Sequence, residues 1–119
     1  MNIEEYREYC ISKPGVSEGF PFDQNTLVFK VMGKMFALLP LNEEIPRANL
    51  KADPAWSLEL REQHQQITPG FHMNKKHWNT IEFDGSLADS EIFHWVNHSY
   101  DLVVSKLPKR LREEVNQNK

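Results

Sequence analysis

Two lysines, two histidines and a tryptophan crowd into GFHMNKKHWNTIEFDG, residues 70–85, as His72, Lys75, Lys76, His77 and Trp78. Ammonium groups meet phosphate oxygens and an indole offers a flat face to a base, so this set suits a nucleic acid strand with unstacked bases. The flanking sequence sharpens the charge. Residues 63–81 contain no Asp or Glu, and residues 27–83 carry seven basic against six acidic side chains. Residues 1–26 carry two against five and residues 84–119 five against six, for a net charge of −3. The positive field is therefore local. The chain lacks the overall basic balance of many nucleic-acid binders.

The elements that must hold these side chains follow from local pattern. In HWNTIEF, period-two alternation predicts a strand with Asn79, Ile81 and Phe83 on one side and Trp78, Thr80 and Glu82 on the other. Trp78 thus opposes the apolar pair: a bulge or an inserted helix covers it, or the ring lies on an open sheet face beside Lys75 and Lys76. LVFKVM and MFALLPL flank Gly33-Lys34, whose leading glycine suits a type II′ hairpin turn. RANLKA supplies a further strand. Lys30 opposes Leu27, Phe29 and Val31, and Lys51 opposes Leu50, so both lysines join the face that carries Trp78.

Helices frame these strands. Asn2 and Glu5 have capping-box spacing ahead of a stripe of Ile3, Tyr6 and Cys10 that ends at Lys13-Pro14-Gly15. Asp53-Pro54 reads as N-cap and first-turn proline of a short helix through AWSLELREQH, with Trp56 and Leu60 on one face, that stops near Gln65. Ser86 and Asp89 have the capping-box spacing for a long helix with Ile92, Val96, Ser99, Val103 and Leu107 on one face, which Pro108 ends. Strands in series between terminal helices predict an α+β two-layer sandwich, an antiparallel sheet with the N- and C-terminal helices on one face and water on the other.

Other chemistry has less behind it. His94 and His98 are four apart on the last long helix, but the HExxH glutamate and a third ligand are missing, so no metal site is expected. Cys10, the only cysteine, sits on an apolar stripe without a basic neighbour to activate it. Ser99 lacks a nucleophile elbow, no Gly-rich phosphate loop exists, and Glu4, Glu5 and Glu8 read as a solvated helix face. No enzyme and no cofactor are expected. With 119 residues, 39% hydrophobic and 26% charged, the chain reads as one folded domain over 1–119. A lone cysteine and the absence of any apolar run near the ~18 residues of a membrane span point to the cytoplasm and away from membranes.

The segments YCISKPGVSEGFPF, NLKADPAWSLELREQH, NKKHWNT, DGSL and HSYDLVVSKLPK together resemble the MmcQ/YjbR family of small bacterial proteins across nearly the whole chain. The resemblance implies a CyaY-like, frataxin-like sandwich and a DNA-binding role through a pair of wing-like hairpins. It implies no catalytic residue. Pro69, His72, Lys75, His77, Trp78, Ser99 and Tyr100 stand at the family's motif positions. The expected protein is a binding protein that takes DNA on Lys30, Lys51, His72, Lys75, Lys76, His77 and Trp78. The alternative is a protein- or peptide-interaction module that uses a sheet edge or the last helix. In a structural reading of the same motif, Lys75 and His77 bond carbonyls left open by the Pro69-Gly70 turn while Trp78 locks the inserted helix to the sheet.

Overall fold

The structure, a computed structural model, describes residues 1–70 and 73–117. Local signals set most of its elements. Asn2 Oδ1 accepts the Glu5 amide at 2.8 Å while Asn2 Nδ2 donates to the Glu5 carboxylate, which opens α1 (Ile3–Ile11) and turns Tyr6 and Cys10 inward. Asp53 caps α2 (Pro54–Gln63) by accepting the Trp56 amide at 3.0 Å. The long α3 (Asp89–Ser105) and short α4 (Lys109–Gln117) follow, separated at Pro108. The capping box expected for α3 does not form: Ala88 is the N-cap, and Ser86 instead donates its hydroxyl and amide to Asp84.

Between the helices lie β1 (Val16–Gly19), β2 (Thr26–Val31), β3 (Lys34–Pro40), β4 (Arg47–Lys51), β5 (Ile67–Pro69) and β6 (Trp78–Glu82). They form one antiparallel sheet in the order β1-β2-β3-β4-β6-β5. Residues from all four helices join the strand residues Phe29, Leu39, Leu50 and Ile81 in a single core on one face, as the sandwich reading requires. Two details differ from the sequence expectation. The β2–β3 turn is Met32-Gly33, not Gly33-Lys34, and both residues have positive φ, 48° and 84°, which makes it the type I′ form whose twist matches the strands. The edge strands β1 and β5 were not expected, because four and three residues are too few to show alternation.

An irregularity in the sheet fixes α3 against it. Phe29 pairs with Ala37 and Lys30 with Met35, so Phe36 is an extra residue on β3, a β-bulge. Only Ala37↔Leu50 and Leu38↔Asn49 pair β3 with β4. The fully buried Ser99 hydroxyl fills the gap: it donates to the Phe36 carbonyl at 2.6 Å and accepts the Lys51 amide at 2.9 Å. A helix side chain thereby satisfies two backbone groups that the ladder leaves open.

The face away from the helices is not simply wet. Val28, Leu38 and Trp78 are buried there as a second apolar cluster, with Met35 and Met73 packed against it.

Candidate functional site

The antiparallel pairings Val31↔Lys34, Lys51↔Trp78 and Pro69↔Asn79 align the β2–β3 turn, the end of β4, the start of β6 and the β5–β6 connection at one end of the sheet. Basic residues collect at that end. Lys34, Lys51 and Lys106, the last at the C-cap of α3, line one shallow hollow of about 310 Å³, with Met35, Trp78 and Leu107 beneath them. The Lys51 ammonium stands 5.6 Å from the Trp78 ring centroid. Partial burial, and then repulsion from Lys106, push the Lys51 pKa down. Lys75 and Lys76 stand exposed on the turn that leads into β6, where Asn74 Oδ1 accepts the Lys76 amide at 3.0 Å. Among the described residues, none of these five lysines has a carboxylate within 4.0 Å.

The sequence-derived site is therefore reassembled rather than reproduced. Trp78 does lie on the face opposite Ile81, but it is only 6% exposed, with Val28, Leu38, Met35 and Met73 around it. It is a floor, not a platform on which a base can stack. Lys30 is half-buried and lines a separate hollow with Ser17 and Glu18, on the other side of Met35 from Lys51. His77 is half-buried, and its carbonyl accepts the Ala52 amide at 2.8 Å, tying β6 to the end of β4. His72 lies outside the described residues. Lys34 and Lys106 were missed, because they meet Lys51 only through the turn and the end of α3.

The structural reading of the motif needs correction in its Trp78 part. Arg61 on α2 bonds carbonyls on the turn into β6: its Nη2 donates to the Lys75 carbonyl at 2.5 Å and to the Trp78 carbonyl at 3.1 Å. Its Nε donates to Asn79 Oδ1 at 2.8 Å, and Asn79 Nδ2 donates to Ser57 Oγ at 3.0 Å, so the buried Asn79 locks α2 to the sheet. The Trp78 side chain is on the other face. Gly70 permits the close approach of the end of β5 to the start of β6, since a Cβ there would lie 2.9 Å from the Cβ of Trp78.

The remaining candidates carry no assembled chemistry. His94 and His98 pack their rings against Trp56 at 5.7 and 4.2 Å, and burial, the largest influence, holds the His98 pKa low despite Asp53 nearby. Cys10 is buried and its thiol is pushed up to about 12, the opposite of activation. Among the described residues no three His, Cys, Asp or Glu side chains group as metal ligands, and no helix is long and apolar enough to cross a membrane.

Fold and site together define a small α+β sandwich with a lysine-rimmed sheet end. The chain belongs to the YjbR family, whose model matches residues 11–102. It is 38% identical over 113 residues to the Escherichia coli (strain K12) protein YjbR, covering 95% of this chain and 96% of that one. It is 37% identical over 116 residues to Bacillus subtilis (strain 168) YyaQ, covering 86% and 98% respectively. The crystal structure of Deinococcus radiodurans protein DR2400, family-model domain DUF419, superposes with a TM-score of 0.90 at 40% identity, over 97% of this chain and 88% of that one.

Proposed function

We propose that this protein is a nucleic-acid-binding protein, not an enzyme, and that it holds the phosphate backbone at the lysine-rimmed end of its sheet. The observation that carries the reading is the convergence of Lys34, Lys51 and Lys106 on one hollow with no carboxylate within 4.0 Å among the described residues. Lys51 is partly desolvated and repelled by Lys106, with Lys34 on the same rim, and a phosphate relieves that repulsion. Lys75 and Lys76 extend the same positive edge. With Trp78 covered, affinity comes from phosphate contacts and not from stacking on its indole, so sequence preference is weak.

A protein partner is the second reading. Phe20 and Phe22, 49% and 64% exposed, favour it. A salt-series titration with single- and double-stranded oligonucleotides separates the two. For nucleic acid, log K falls linearly with log salt, and the combined Lys34→Ala, Lys51→Ala, Lys106→Ala variant flattens the duplex slope by up to about three. Replacing Phe20 and Phe22 by Ser leaves that titration unchanged. Binding that ignores both salt and the three lysines, or no binding at low salt, rejects the proposal.

A further inference from the structure

The open face holds a second and larger concavity, of about 690 Å³, on the other side of Met35 and Trp78 from the lysine hollow. Its apolar surface comes from Leu38, Met35, Trp78 and Met73, with aromatic and thioether groups that shape themselves to a flat guest. Volume and lining fall in the range of small-molecule sites. Three polar groups converge at β4 and β6. Asn49 and Thr80 face each other across β4 and β6, and the Thr80 hydroxyl donates to Asn49 Oδ1 at 2.6 Å, which leaves the Asn49 amide hydrogens for another acceptor. Beside them Arg47 Nε is buried and has no hydrogen-bond partner among the described residues. A donor withdrawn from water and left unpaired is costly unless something accepts from it.

The charge around the rim narrows what that acceptor is. Two carboxylates, Asp23 and Glu43, share the lining with the single guanidinium of Arg47. Glu43 already stands 3.4 Å from Arg47 Nη2, and Asp23 accepts the Asn25 and Thr26 amides at 2.8 and 2.7 Å, which holds its pKa low and keeps it anionic. An anion entering here meets more negative than positive charge. An uncharged acceptor does not.

We propose that this concavity is a binding site for a small, planar, uncharged aromatic molecule bearing a carbonyl group. The ring lies between the half-buried Met35 and Met73, above the covered indole, and the carbonyl oxygen accepts from Arg47 Nε and the Asn49 amide. The site is independent of the lysine hollow, so it stands whether or not the protein binds nucleic acid.

Two-dimensional amide NMR with 2-naphthamide as the probe, and 2-naphthoate as its anionic counterpart, tests the assignment. With 2-naphthamide, saturable shifts are expected at Leu38, Asn49, Trp78 and Thr80, with 2-naphthoate at least about fivefold weaker. Arg47→Met weakens the amide about tenfold, the loss of one hydrogen bond from a charged donor. Leu38→Trp, which puts an indole where the guest ring would lie, abolishes binding, whereas Lys51→Ala with Lys106→Ala changes nothing. Should Leu38→Trp fail to fold, Arg47→Met still decides, because that side chain is 36% exposed and its replacement leaves the core intact. Absence of saturable shifts, naphthoate binding as tightly as the amide, or indifference to Arg47→Met overturns the proposal.

Discussion

Ser99 shows how much one hydroxyl can hold together. Its Oγ links the Phe36 carbonyl of β3 to the Lys51 amide of β4 from a fully buried position on α3. Ser99→Ala removes the hydroxyl that satisfies this pair and leaves both withdrawn from water, so a loss of about 1–3 kcal/mol is expected. Urea denaturation checks it as a lowered midpoint at unchanged m-value. The loss also loosens the backbone of Lys51, which ties this position to the lysine hollow. Heptad-like spacing made Ser99 legible as an inward position, yet its role was not legible, because the backbone groups that a bulge strands depend on register between strands distant in sequence. Trp78 behaved similarly. Alternation gave its face, but its burial depends on Leu38, Met35 and Met73, which reach it through tertiary packing.

At the scale of elements, whatever local chemistry decides was readable. Asn2 with Glu5 and Asp53 with Pro54 set the starts of α1 and α2 as their spacing implied. The β2–β3 hairpin was readable too, but its turn lay one residue earlier, because the pairing of Val31 with Lys34 outweighs the preference for a leading glycine. Gly33 has φ of 84° and open space where a Cβ would go, so Gly33→Ala isolates the conformational cost without a clash. A loss of about 1–2 kcal/mol is expected, measurable as a fall in Tm, and the tip that carries Lys34 frays first. The three-residue β5 was beyond reach of pattern, since it exists only as the partner of β6. Arg61 was likewise hidden: nothing in AWSLELREQH says that this arginine will turn back to cap carbonyls of a loop more than ten residues ahead.

For the whole molecule, the helix-backed antiparallel sheet was legible because terminal helices and serial strands leave few other ways to bury one face. The distribution of charge was legible only in part. Residues 63–81 contribute Lys75 and Lys76 to the basic end, while Lys34, Lys51 and Lys106 come from a turn, a strand end and a helix end that only the folded chain brings near. The second concavity was not legible at all, since Arg47, Leu38, Met73 and Thr80 form no motif in sequence.

The apolar cluster of Val28, Leu38 and Trp78 also governs how the molecule opens over time. It blankets the centre of the sheet from the side that the helices leave bare, so β2, β3, β4 and β6 are shielded above and below. Partial openings that release α4 or β1 do not admit solvent to that centre. In deuterium uptake, the amides of Val28, Leu38, Asn49 and Thr80 are expected to exchange last and together, at the rate of global unfolding, with Val16–Gly19 far ahead of them. The protein's slowest clock thus runs in the very strands that floor both hollows, so the floor of each persists for as long as the chain stays folded.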